Sequence, residues 1–324
     1  MAGHFEIFES IRDDLTRVEQ KLRDKPQLEY DVLTEAIEHL LSSGGKRIRP
    51  ALVILASRLY SSEIEPEAIA LAAAVEMLHT ASLVHDDLID GSLLRRGIPT
   101  LNAEWTPGAT ILTGDYLFAR AADLAAQSGS LRVMRLFADT LMVICTGELK
   151  QQFSDLQTRA RRDDYYGRIY AKTASLLTLA TEAAGMLRNA PQDQVAALHD
   201  YGYNLGLAFQ VVDDVLDFVG DEQRLGKPVG SDLRQGLITL PTLCYLEQHL
   251  DDPLIVRILR NGRGSDQDIR QAVSAIRDSG AIDCALGEAR DFARRSVAAL
   301  QRLPAGPPRQ AMENLTDFVV QRRT

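Results

Sequence analysis

Apolar residues return at three- and four-residue steps along almost the whole chain, as at Leu71, Val75 and Leu78. That is the period of α-helices with a buried face. Alanine and leucine dominate, and no stretch sustains the two-residue alternation of a half-buried strand. Breakers interrupt the pattern at 43–50, 97–108, 128–130, 189–191, 220–236, 261–265 and 304–308. Ser265, followed by Asp266 and Asp268, predicts a helix start with acids in its first turn. The sequence holds no repeat of fixed period, no low-complexity tract and no linker. The expectation is an all-α fold: a single large helical bundle of about ten or more helices, with residues 1–324 as one domain.

Composition narrows the function. The chain has 324 residues, 45% of them hydrophobic, and a net charge of −9. That acidity excludes nucleic acid as a main partner, because phosphate backbones need a basic face. The segment from Met1 to Leu15 carries Glu6, Glu9, Asp13 and Asp14, unlike a signal or transit peptide. The apolar runs at 51–56 and 69–75 stop short of the roughly 18 residues of a membrane span. Cys145, Cys244 and Cys284 lie far apart, with no Cys-x-x-Cys motif, and read as buried free thiols. These features together predict a soluble, cytoplasmic protein in a reducing compartment.

The chemistry is carried by Asp-Asp-x-x-Asp, which occurs twice: Asp86, Asp87 and Asp90, then Asp213, Asp214 and Asp217. On a helix, Asp86 and Asp90 share one face, as do Asp213 and Asp217. Asp87 and Asp214 sit about 100° round. A solvated acidic face is the plain alternative. Leu, Val, Ile and Phe surround both clusters, however, and crowded carboxylates in apolar surroundings call for a compensating cation. Hard carboxylate oxygens suit Mg²⁺, which commonly shares such ligands with a phosphate group. Two such clusters facing each other across a bundle would clamp a diphosphate and help it depart. Cations stand nearby in sequence: Lys46, Arg47 and Arg49 at a flexible turn, Arg95 and Arg96 after the first cluster, Lys172 before Thr173, and Lys227 ten residues past Asp217. His79 lies seven residues before Asp86, on roughly its face. Each of these alone reads as a surface or core residue.

Together they carry a resemblance. GGKRIRP at 44–50, HTASLVHDDLIDGSLLRRG at 79–97, GELKQQF at 147–153, KT at 172–173, FQVVDDVLDF at 209–218 and GKPVGSDLRQG at 226–236 resemble the trans-isoprenyl diphosphate synthase (polyprenyl synthetase) family. The resemblance runs from about Gly44 to Pro241. It implies an all-α bundle of the isoprenoid synthase type around a deep central cavity, usually a homodimer. It also implies a Mg²⁺-dependent prenyltransferase that joins isopentenyl diphosphate to an allylic diphosphate. By the same resemblance Asp86 and Asp90 would hold metal on the allylic diphosphate and Asp213 another, with Asp87, Asp214 and Asp217 in support and Asp217 a further metal-ligand candidate. Arg95, Lys172, Thr173, Gln210 and Lys227 would contact the allylic diphosphate. Lys46, Arg49, His79 and Arg96 would hold isopentenyl diphosphate. Many members carry a second lysine where this chain has Leu237, and Arg234 is the candidate replacement.

The growing tail would follow the helix preceding Asp86, one isoprene unit per turn of roughly 5 Å. Ala81 and Ser82 are small, and the deeper positions Leu78, Val75, Ala74 and Leu71 include no aromatic plug. In the resembling family small residues at this level go with longer products, and a product of twenty-five carbons or more is expected. Geranylgeranyl or farnesyl length stands as the alternative, and a hydrophobic product implies transient membrane contact at release. A class I terpene cyclase would need only one such aspartate cluster, and a non-catalytic synthase subunit should have lost aspartates, whereas this chain keeps all six.

Overall fold

The computed structural model describes residues 8–24, 31–42, 45–95, 97–154, 161–220, 229–250, 252–261 and 264–322. Among these the chain is helical nearly throughout, as the periodicity predicts. It divides into two compact units, each assembled from three stretches: Met1–Thr140, Leu179–His199 and Gln301–Met312, and then Leu141–Thr178, Asp200–Leu300 and Glu313–Thr324.

The first unit is built around α4. Its elements are α1 (Arg12–Arg23), α2 (Asp31–Ser42), α3 (Ile48–Arg58), α4 (Pro66–Ile89), the strands β1 (Leu94–Arg95) and β2 (Ile98–Pro99), α5 (Leu101–Glu104) and α6 (Pro107–Ala126). Pro66 starts α4 at a position where its missing N–H costs nothing. An alanine-rich stretch then lets α1, α3 and, most extensively, α6 pack closely round it. The helix is long and apolar enough to cross a membrane, which the short sequence runs had not suggested. Its most apolar stretch is 78% buried inside the protein, as befits a core helix that is apolar on every side. Pro50 falls within the first turn of α3, where proline is tolerated, so the break read at 43–50 already contains a helix start. Buried Asp14 ties α1 to α3, accepting hydrogen bonds from Arg58 at 2.6 and 3.1 Å.

The helix α7 (Leu131–Phe153) leads to α8 (Arg162–Ile169), a π-helical turn (Tyr170–Ala174), α9 (Ser175–Leu187) and α10 (Gln192–Val219). There follow α11 (Ser231–Arg234), α12 (Leu240–Gln248), α13 (Pro253–Asn261), α14 (Asp266–Asp278), α15 (Ala281–Leu300) and α16 (Pro307–Gln321). In the second unit α12 packs on α15, α8 and α14. The helix start read at Ser265 is present as a reciprocal cap: Ser265 accepts from the Asp268 N–H, and Asp268 accepts from the Ser265 N–H.

The cysteine reading is corrected. Cys244 and Cys284 form a disulfide between α12 and α15, and Cys145 is exposed. Forty residues separate the pair in sequence, so only the packing of the two helices could bring them together. The inference of a reducing compartment from three buried thiols loses its basis.

Candidate functional site

Both acidic clusters lie at the C-terminal ends of long helices. Helix α4 stops at Asp90 because Gly91 adopts φ +63°. The Gly91 N–H then reaches the Leu88 carbonyl at 3.2 Å, and the Ser92 N–H reaches the Asp87 carbonyl at 2.8 Å. This closure pairs carbonyls that the last turn would otherwise leave exposed. A helix C-terminus carries partial negative charge, so three aspartates there repel the backbone as well as one another.

One of the three is neutralised internally. Asp87 is buried and accepts a bidentate grip from Arg95, with Nε at 2.9 and 3.0 Å and Nη2 at 2.7 Å. The β1–β2 hairpin turns at Gly97, φ +79°, and carries Arg95 back over the helix end. Asp86 is half-buried and Asp90 exposed. The accessible stripe of α4 runs His79, Ser82, Leu83, Asp86 and Asp90. Ser82 is therefore the chain-length candidate with accessible surface on the stripe that carries Asp86. Ala81, Leu78 and Val75 have no accessible surface.

Gly114 on α6 makes room for His85, since a Cβ there would lie 2.2 Å from the imidazole Nε2. The basic turn is held by a residue the sequence reading left without a role. Arg47, at φ 47°, ion-pairs with Glu19 and with buried Glu76 at 2.9 Å, and donates to the Leu41 carbonyl at 3.2 Å. Lys46 beside it is exposed and Arg49 half-buried.

The second cluster ends α10. Asp214 is buried and receives Tyr165 Oη at 2.7 Å and Gln210 Nε2 at 2.8 Å. Burial pushes its carboxyl up to about 6, against the opposing pull of those two hydrogen bonds. Gln210 Oε1 in turn accepts from Thr173 Oγ1 at 2.6 Å. Thr173 and Lys172 belong to the π-helical turn, where a plain α-helix was expected, and π-bulges are frequent at functional sites. Two glycines admit this turn. A Cβ on Gly147 would meet Ala171 Cβ at 2.3 Å, and one on Gly206 would meet Ala174 Cα at 2.4 Å. Lys172 Nζ lies 3.4 Å from Glu148 of the GELKQQF motif.

Asp217 is the more deeply buried of the two acids that share a face in this cluster. It is 1% exposed, and its oxygens accept from Ser231 Oγ at 2.5 Å and the Asp232 N–H at 3.1 Å. That spends the carboxylate on holding the start of α11. Asp213 is more open, and Arg322, just past α16, lies 3.0 Å from it. Arg234, the candidate for the missing lysine at Leu237, is ion-paired with Asp266 instead. Arg96, Lys227 and Gly44 lie outside the described residues.

Sequence reasoning missed Tyr165, Glu76 and Arg322. A buried tyrosine and a buried glutamate look like ordinary helix residues, and no spacing links Arg322 to Asp213.

An all-α fold in which aspartate clusters end two long helices, with cations close to each, defines a diphosphate-handling transferase. The profile of the polyprenyl synthetase family matches residues 30–276. Heptaprenyl diphosphate synthase component 2 of Geobacillus stearothermophilus is 37% identical, over 98% of both chains. The crystal structure of a Caulobacter crescentus polyprenyl synthase complexed with calcium and isoprenyl diphosphate superposes with a TM-score of 0.93. It is 36% identical and the match covers 99% of this chain and 98% of that one. A geranylgeranyl pyrophosphate synthase from Lactobacillus brevis gives a TM-score of 0.90 at 31% identity, covering 98% of this chain and 99% of that one. The chain belongs to the polyprenyl synthetase family. It is a chain-elongating prenyltransferase acting on isoprenyl diphosphates.

Proposed function

We propose that this enzyme is Mg²⁺-dependent and condenses isopentenyl diphosphate with an allylic diphosphate, such as farnesyl or geranylgeranyl diphosphate. The product would be an all-trans polyprenyl diphosphate of twenty-five carbons or more. One observation carries the metal and its place: Asp86 and Asp90 are the accessible acids at the end of α4, while Asp87 is already neutralised by Arg95. The all-oxygen donor set fits a hard divalent cation.

In this reading Asp86 and Asp90 hold metal, as does Asp213. When bound, Mg²⁺ supplies Lewis-acid neutralisation of the departing diphosphate. Asp87 and Asp214 act through their fixed hydrogen bonds rather than as ligands, and Asp217 secures α11. Lys172, Thr173, Gln210, Arg95 and Lys227 serve the allylic diphosphate. Lys46, Arg49, His79 and Arg96 hold isopentenyl diphosphate. The apolar helices exclude water from a reactive cation. Ser82 sets the depth of the tail site. The second reading, geranylgeranyl length, is favoured by the Lactobacillus neighbour.

A homodimer belongs to the same proposal. Ile111 and Leu112 on α6 and Met142 and Leu149 on α7 are exposed apolar residues of the kind that subunit contacts cover. Light scattering at micromolar concentration should give twice the chain mass.

The test is condensation of radiolabelled isopentenyl diphosphate after chelation. Activity should vanish in EDTA and return with Mg²⁺. Equal activity in both conditions refutes the metal assignment.

A further inference from the structure

Asp213 is proposed above to hold metal, yet it already has a cation. Arg322, the first residue after α16, brings Nη1 to 3.0 Å from Asp213 Oδ1. Its guanidinium lies over the Phe209 ring, 4.6 Å from the centroid. Phe209 and Asp213 are one turn apart on α10, so a single face of that helix receives the arginine by ring and by carboxylate.

The contact is close but incompletely satisfied. The Arg322 side chain is only 12% exposed, and its Nε and Nη1 are buried without an aligned hydrogen-bond acceptor. Buried donors in this condition are uncommon and ask for an explanation, such as a partner bound in another state. Arg234, the other cation considered for this region, is engaged with Asp266. Arg322 is a cation that the sequence motifs do not account for, at a cluster otherwise rich in negative charge.

We propose that Arg322 is the resident counter-ion of Asp213, which a divalent cation must displace. In the metal-free chain it neutralises a carboxylate at a helix C-terminus, where the backbone gives no help. When metal takes that carboxylate, two cations cannot share it favourably. The guanidinium then turns to oxygens of the metal-bound diphosphate, a planar donor well matched to phosphate. Arg322 is thus a positioning residue that couples the end of α16 to occupancy of the second cluster. The inference rests on the proposed metal role of Asp213.

The experiment is Mn²⁺ binding to the substrate-free enzyme, read by the loss of free Mn²⁺ signal in electron paramagnetic resonance. It compares wild type, Arg322→Gln, Arg322→Lys and Asp213→Asn, each checked for folding by circular dichroism. Removing a cation this close should tighten one Mn²⁺ site about threefold or more, the partial exposure of Asp213 screening the rest. Arg322→Lys should stay near wild type, and Asp213→Asn should lose that site. A variant ending at Gln321 should reproduce Arg322→Gln, which guards against a misfolded point variant. Unchanged or weaker Mn²⁺ binding in both Arg322→Gln and the shortened chain overturns the proposal. Failure of the wild type to bind Mn²⁺, or no loss of a site in Asp213→Asn, overturns the metal assignment of Asp213 itself and the inference with it.

Discussion

Thr173 donates a hydrogen bond to Gln210 at 2.6 Å, and that bond decides which way the Gln210 amide points. With Oε1 occupied by the threonine, Nε2 is directed at buried Asp214, 2.8 Å away. The chain from the π-helical turn to the second acidic cluster is continuous. Thr173→Val keeps the shape and removes the donor, leaving a part-buried acceptor unpaired at about 1 kcal/mol. The expected result is a drop of roughly tenfold or more in kcat/KM for the allylic diphosphate, with Thr173→Ser close to wild type. Steady-state kinetics on the three proteins checks it.

The π-helical turn needs Gly206. A methyl group there would sit 2.4 Å from the Ala174 Cα, and that backbone has no flexible end to yield. Gly206→Ala should destabilise by about 1–3 kcal/mol through overpacking and lower activity with it. Gly287, inside α15, has nothing within 4 Å of its would-be Cβ. Gly287→Ala should therefore be neutral or gain up to about 1 kcal/mol of helix propensity. Urea unfolding midpoints separate the two.

Within the first cluster, stability and chemistry divide between neighbouring residues. Asp87 depends on Arg95, so Arg95→Met strands a buried carboxylate and should cost about 3 kcal/mol or more. Asp90 is exposed and makes no such demand. Asp90→Asn should leave the unfolding midpoint within about 0.5 kcal/mol of wild type while removing most activity. Equal loss of stability in both would refute this division.

Ser82 is half-buried on the stripe that carries Asp86, and its hydroxyl donates to the His79 carbonyl at 2.8 Å. Ser82→Phe should shorten the product by one or more isoprene units. The same substitution at Ala81 enters a packed interior and should act mainly on stability, at about 1–3 kcal/mol. Product length and melting temperature for both variants test the distinction.

The aspartate pairs and the helical fold were legible because both are local patterns: a five-residue spacing and a 3.6-residue period. The Ser265 cap was legible for the same reason. Contacts between distant residues were not. Tyr165 and Asp214 are 49 positions apart, and Arg162 with Glu288 is 126 apart. Cys244 and Cys284 read as separate thiols because nothing in their spacing encodes the packing of α12 on α15. Asp213 and Asp217 share a helix face, yet one is open and the other is consumed by α11, since that difference depends on residues 231 and 232 folding back. Periodicity places a residue on a face, while tertiary packing decides what that face meets.

The central claim is that this chain elongates an allylic diphosphate. The most direct measurement is product length after incubating purified enzyme with Mg²⁺, farnesyl diphosphate and excess isopentenyl diphosphate, followed by dephosphorylation and chromatography. A ladder ending in one dominant chain of twenty-five carbons or more is expected. A product that stops at twenty carbons contradicts the chain-length reading. No condensation by folded protein with any allylic primer contradicts the account as a whole.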